Sequence, residues 1–352
     1  MGMLLGERYS PMRVRARSSL SPRTRESAIE LLRAMYPDTP RGALVTVAYD
    51  FHEGMLFPNS MLAPQLDAEY CAAQIEPGYV AAMVAAATDK ARLLGVFGYL
   101  PPAGPHTHDD LAALEAQAAH PGWIALYDVY KSYSSHGIPL PQGLRPGDGE
   151  LLSRMAFFAL DSLLARPPVL RLAMGRLVGH IADVLEVKAG RPPRGMSPLQ
   201  SAQMAKAKLV VLSGHDTTIV PLLHILGLDA HLDAWPDYAS AIVLELHTNT
   251  APSRAYPAAH YVHVIYNRHT AAIVALDDLL SALDPFRLDS IEHLHQAEAT
   301  AAAAAADAGR PDDLAAVAAP GTPPTHSWHR DFNQPALAHV LANAATAAAA
   351  TE

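Results

Sequence analysis

The chain has 352 residues, half of them hydrophobic, enough to bury a large core in one domain with an insertion. Lys and Arg number 26 against 35 Asp and Glu, a formal charge of −9, which argues against a general nucleic-acid-binding face. The one cysteine, Cys71, allows no intramolecular disulfide and points to a reducing compartment, cytoplasm or mitochondrion, with the thiol buried or incidental.

Taken in chain order, residues 1–9 offer no signal-peptide apolar core before Glu7 and Arg8. No run reaches the ~18 apolar residues of a membrane-spanning helix. A strand is expected to lead to Arg17, and Ser21-Pro22 fits the N-cap and first position of a helix. Arg17 is therefore expected in a strand-to-helix loop. Ala28, Leu31, Leu32 and Met35 recur at helical spacing and predict the buried stripe of that helix, which Pro37 ends. Residues 43–49 read as the next strand.

Residues 51–200 are expected to be mostly helical, over 77–94, 109–119, 122–134, 148–164 and 169–187. Pro-Pro pairs at 101–102, 167–168 and 192–193 mark turns. A helical run without alternating strands suggests a cap inserted into an α/β sheet, with Met155, Phe157 and Phe158 in its core. Residues 208–284 return to strand, helix and three strands, and a helix is expected from Leu288 to about Ala306. The Ala- and Pro-rich residues 307–352 read as a disordered tail. The expected domains are a discontinuous α/β core of 1–50 and 201–296, a cap of 51–200, and the tail.

The most informative segment is Ser213-Gly214-His215-Asp216-Thr217-Thr218. A short apolar strand, 208–212, precedes it, and an apolar helix, 219–226, follows until Gly227. A strand that ends in Gly-His-Asp and opens a helix puts an imidazole, a carboxyl and free backbone N–H groups at one point. Helix N-termini favour anions, so the pattern suggests phosphate-ester chemistry. His215 as a plain loop residue and Asp216 as a plain cap fit this segment alone about as well. Arg17 strengthens the anion reading, because a guanidinium fork stays charged and grips two phosphate oxygens at once. Arg13, Arg15 and Arg25 read as a solvated basic patch.

Arg17-Ser18-Ser19 with Arg23-Thr24 and Ser27-Ala28 resembles the Arg-Ser-x-x-x-x-Arg-Thr-x-x-Ser-Ala block of the histidine acid phosphatases. The Ser-Gly-His-Asp-Thr-Thr segment is similar to that family's distal motif. Residues 235–246 and 261–267 resemble its next strands, so the resemblance covers roughly residues 3–296. Within the family, Leu126-Tyr127-Asp128, His136-Gly137-Ile138-Pro139, Leu56-Phe57-Pro58-Asn59 and Leu276-Asp277-Asp278-Leu279-Leu280 are similar to the lysophosphatidic acid phosphatase type 6 branch.

The resemblance implies a mainly parallel sheet flanked by helices, and phosphomonoester hydrolysis through a phosphohistidine. Arg17 and His215 would bind the phosphate, and Asp216 would protonate the leaving alcohol as general acid. No cofactor or metal is implied, since the cations are protein side chains. A lysophospholipid is one candidate substrate. The family's nucleophile lies in an Arg-His-Gly motif on the first strand, and no Arg-His-Gly occurs in these 352 residues. His136 and His269 do not stand in for it, being expected on the cap and at a strand end. Residues 1–9 resemble the tail of the family's first helix, so the strand and its motif are expected upstream of Met1. The chain is accordingly expected to be a truncated or inactive form. The alternatives are a phosphate- or phospholipid-binding pseudophosphatase and a structural or interaction protein that keeps only the fold.

Overall fold

The computed structural model describes residues 6, 8–44, 46–48, 55–99, 121–232, 234–254 and 257–307. The helix expected at 109–119 and the tail 308–352 lie outside these residues.

The described residues form β1 (Val14–Ser18), α1 (Pro22–Met35), β2 (Thr46–Ala48), α2 (Gln65–Gln74), α3 (Pro77–Ala85), α4 (Ala87–Val96), α5 (Trp123–Ser135) and α6 (Asp148–Leu164). They continue with α7 (Pro167–Lys188), α8 (Pro198–Lys206), β3 (Leu209–Ser213), α9 (Asp216–Ile225), β4 (Ile242–Thr248), β5 (His260–Tyr266), β6 (His269–Ala275), α10 (Leu276–Leu283) and α11 (Ile291–Asp307). Two compact units result. One comprises the described residues up to Leu66 together with those from Leu164 onward; the other is Asp67–Leu163.

In the first unit the strands form two sheets rather than one mainly parallel sheet. One is parallel, in the order β2-β1-β3; the other is antiparallel, in the order β4-β5-β6. Among the described residues, β3 and β4 each pair on one side alone. Strand β1 is central. It turns Val14 and Ala16 onto α1, where they pack with Ile29, Leu32, Tyr36 and Leu44. The sheet face sets the phase of α1: Ile29 is buried, while Leu31, expected inside, is 47% exposed.

Two further expectations are corrected. Residues 77–94 are not one helix: α3 ends at Ala85 and α4 starts at Ala87, with Ala86 out of helical geometry between them. The strand expected at 43–49 is reduced to Thr46–Ala48, because Arg41–Ala43 form a turn of 3₁₀ helix.

Strands β5 and β6 join through Asn267-Arg268, both at positive φ (47° and 73°), the backbone of a type I′ hairpin turn. Asn tolerates this conformation, whereas Arg is strained in it. Arg268→Gly is expected to stabilise the protein by about 1 kcal/mol, read as a higher urea midpoint at unchanged slope.

The longest helix among the described residues, α7, carries a buried charge cluster. Arg287 Nη2 lies 2.6 Å from Asp183 Oδ1 and 3.0 Å from Glu186 Oε2, and its Nε lies 2.5 Å from Asp289 Oδ1. Gly175 and Gly179 let the 286–289 segment cross α7 at backbone distance.

The second unit holds helices and no strand among its described residues and has its own core, with Leu93, Leu126, Leu152, Leu160 and Leu163 fully buried. Met155 is buried in it, and Phe158 stacks on Tyr79 at 5.8 Å. Arg92 grips Asp148 through both guanidinium nitrogens (3.0 and 2.5 Å), which holds that carboxyl below its usual range. Cys71 is buried, and burial pushes its thiol up, away from the reactive thiolate. No helix among the described residues is long and apolar enough to cross a membrane.

Candidate active site

The parallel pairing of β1 and β3 decides where the two motifs meet. Arg17 stands beside Leu212 and Ser18 beside Ser213, and the Ser19 N–H extends the ladder to the Ser213 carbonyl at 3.0 Å. Both strands therefore end at the same level, and each feeds a helix, α1 at Pro22 and α9 at Asp216. The carboxyl ends of parallel strands, where helices start, are the usual ligand-binding edge of an open α/β sheet.

Arg17 is not in the loop, as expected, but the penultimate residue of β1. With Arg15 it alternates away from the face that Val14 and Ala16 pack on α1. Its charge is felt by His180 of α7. Loss of solvent around that ring, then the positive charge of Arg17, Arg176 and Arg15, bring the His180 pKa down to about 4.

His215 is the N-cap of α9, and its backbone N–H donates to Thr218 Oγ1 at 2.9 Å. That hydroxyl in turn donates to the Leu56 carbonyl. Gly214 is required here: a Cβ would lie 2.5 Å from Thr218 Oγ1. Asp216 Oδ1 accepts the Thr217 N–H at 2.8 Å, which keeps the carboxyl group at the helix entrance beside His215.

The ring of His215 is held from both ends. Arg23 Nη2 lies 3.3 Å from Nδ1, and Ser19 Oγ lies 2.8 Å from Nε2. An arginine only donates, so Nδ1 accepts and the proton of the neutral ring sits on Nε2. The order then runs onward: Nε2–H donates to Ser19, Ser19 donates to Thr24 Oγ1 (2.8 Å), and Thr24 donates to the Ser21 carbonyl (2.8 Å). The Phe57 ring meets the imidazole edge-on at 6.2 Å. Burial, with Arg23 next and Asp216 opposing, lowers the His215 pKa to about 4. The free site therefore holds a neutral imidazole, its Nε2–H engaged by Ser19, next to a cationic guanidinium.

The sequence located Arg17, His215 and Asp216 but assigned nothing to Ser19, Thr24 or Phe57. The signal for Ser19 and Thr24 lay in the spacing of the first block. Pro22 at the first helical position puts Arg23 and Thr24 in the first turn of α1, facing back toward the end of β1. His136 and His269 are both exposed, at the C-cap of α5 and at the start of β6.

Both low imidazole values have a stability consequence. A histidine whose folded pKa lies below its unfolded value of about 6.5 stabilises the fold above pH 6.5, and the contribution is lost as pH falls toward 4. His180 and His215 should each cost about 1–2 kcal/mol by pH 5, after allowance for partial exposure. The melting temperature is expected to fall between pH 7 and 5, and less steeply in His180→Gln. A flat profile over that interval would contradict the neutral, buried rings.

A family profile described as the histidine phosphatase superfamily (branch 2) matches residues 173–267, from within α7 to the β5–β6 turn and across the His215 site. The phytase of Citrobacter braakii superposes with a TM-score of 0.53 at 14% identity, covering 81% of this chain and 82% of that one. The profile match supports the histidine phosphatase superfamily over that segment, and the likeness to the phytase is one of fold. The apo form of Hafnia alvei phytase gives a TM-score of 0.49 at 13% identity over 81% of each chain. Counting factor 60 of Dictyostelium discoideum is 24% identical over 166 residues. That alignment takes in 47% of this chain and 35% of the relative, so the chain matches about a third of that relative's length. The structural likeness is one of histidine phosphatase fold, which a mixed α/β chain with a small parallel and a small antiparallel sheet shares in general.

Proposed function

We propose that the site binds the phosphate of a phosphomonoester, and that the chain is part of a phosphatase whose nucleophilic imidazole comes from an Arg-His-Gly strand outside these 352 residues. The observation that carries the reading is the Arg23–His215–Ser19 chain at the joint ends of β1 and β3. Arg17, Arg23 and His215, whose Nε2–H leaves Ser19 for the phosphate, take the non-bridging oxygens. As the nucleophile's nitrogen bonds to phosphorus and the ester P–O bond breaks, Asp216 gives its proton to the departing alcohol oxygen. Water then attacks phosphorus, its proton passing to the Asp216 carboxylate, and the P–N bond breaks to release phosphate and the free imidazole. Alone, the 352-residue chain binds phosphate and turns over little or nothing. The lysophosphatidic acid phosphatase type 6 resemblance favours a lysophospholipid phosphate.

Calorimetry with inorganic phosphate and with lysophosphatidate, beside release of phosphate from p-nitrophenyl phosphate, tests this. Binding without release is expected, weakened roughly 10–100-fold in Arg17→Ala and in His215→Ala, since each loses a charge-assisted or directed hydrogen bond. Release that disappears in Asp216→Ala would show that the chain is a complete phosphatase as it stands. Phosphate affinity unchanged in Arg17→Ala and His215→Ala would favour a protein that keeps the fold for structural or interaction purposes.

A further inference from the structure

The outer face of the second sheet holds a cluster that takes no part in the phosphate site. Along β4, Ile242, Leu244 and Leu246 turn inward, while Val243, Glu245 and His247 face solvent. Register puts His263 of β5 directly opposite Glu245, and the two-residue period puts His247 on the same face. Glu245, His247 and His263 thus converge from two strands.

Their donor atoms are close. His247 Nε2 lies 3.3 Å and His263 Nδ1 3.5 Å from the same oxygen, Glu245 Oε2, and all three ligand atoms lie within 4.8 Å of one another. In a tetrahedral zinc site with bonds of 2.0–2.1 Å, neighbouring ligand atoms stand roughly 3.3 Å apart. Two of the three spans already have that length. The third joins the two imidazoles, whose ring centroids are 6.3 Å apart. His247, with 59% of its side chain exposed, is free to swing in and close it.

The orientation of His263 is fixed from behind. Its Nε2 lies 2.8 Å from Thr270 Oγ1 on β6, which leaves Nδ1 aimed at Glu245. Metal-binding imidazoles are commonly held in this way, by a hydrogen bond at the other ring nitrogen. A surface ion pair between Glu245 and one histidine would contribute about 0–1 kcal/mol and would not need the second imidazole or Thr270.

We propose that Glu245, His247 and His263 bind a divalent transition cation, zinc by their donor set, with a fourth position open to solvent. Two imidazole nitrogens and one carboxylate oxygen suit zinc, whereas calcium and magnesium take oxygen donors. Bound there, the ion ties β4, paired on one side alone among the described residues, to its neighbour β5.

The test uses the purified 352-residue chain, stripped with EDTA and titrated with zinc chloride, with melting temperatures measured with and without zinc. A zinc site is expected whose affinity falls at least about tenfold in His247→Ala and in His263→Ala. Thr270→Val should weaken it by about tenfold through loss of orientation alone. Zinc should raise the melting temperature of the wild type and not of His247→Ala. Equal melting temperatures of wild type and His247→Ala in EDTA would show that binding, not folding, was lost. The chain has 18 histidines, so zinc held elsewhere is the main rival. Affinity and stoichiometry unchanged in both histidine variants, or no zinc binding below millimolar concentration, would overturn the proposal.

Discussion

Arg287→Ala is expected to destabilise the protein by about 3–5 kcal/mol, enough to unfold a domain of ordinary stability. Arg287 is 8% exposed and is shared by three carboxylates, those of Asp183, Glu186 and Asp289. Asp183 also receives the backbone N–H groups of Arg194 (2.9 Å) and Gly195 (3.1 Å), so the cluster ties α7 to two separate loops. Burial pushes the Asp183 carboxyl up, and the guanidinium opposes that shift. Removing the cation would leave three carboxylates crowded in a poorly hydrated place, and that loss outweighs the pair attraction itself. Arg287→Lys, which keeps the charge but not the fork, should fall between the wild type and Ala. Denaturant titration reads the effect directly; a change below about 1 kcal/mol for Ala would mean that water reaches the cluster freely.

Gly179→Ala should cost about 1–3 kcal/mol, although glycine to alanine within a helix ordinarily gains up to 1 kcal/mol. The added methyl would sit 2.5 Å from the Leu288 carbonyl oxygen, a backbone atom that cannot step aside. The Leu288 N–H donates to the Gly175 carbonyl at 3.0 Å, and Arg176 Nη1 donates to the Leu288 carbonyl at 3.2 Å, so the crossing is pinned on both sides. Gly95, in α4, has nothing within 4 Å of the place its Cβ would take. Gly95→Ala should therefore stabilise by about 0.5–1 kcal/mol. Opposite signs for the same substitution at two helical glycines would isolate the close approach; equal signs would count against it.

The features legible in the sequence were local ones. Helix α6 was readable at both ends, and the β3–α9 crossing was readable because strand, glycine and helix follow one another without a gap. His215 and Asp216 came with it. The Ser19–His215 hydrogen bond joins residues 196 apart and depends on the register of β1 against β3, which no periodicity reports. The same limit misplaced Leu31. Leu31 and Ile29 fit helical spacing equally well, and only the sheet beneath α1 selects between them. The break between α3 and α4 falls at Ala86, a good helix former with no glycine or proline beside it, so nothing in the composition marked it. The Glu245, His247 and His263 cluster likewise needed the pairing of β4 with β5 before two histidines and a glutamate, scattered over 19 positions, became neighbours.

The one-sided pairing of β3 has a consequence for amide hydrogen exchange. Along a strand, successive N–H groups point to opposite sides, so one alternating set in Leu209–Ser213 is locked into β1 while the other faces the edge that no described strand pairs. The two sets should exchange with solvent deuterium at sharply different rates, a two-residue rhythm within a single strand. Any strand that docked along that edge would slow the fast set and leave the slow set unchanged. The rhythm is thus a built-in gauge of whether β3 is an edge or an interior strand in the working protein.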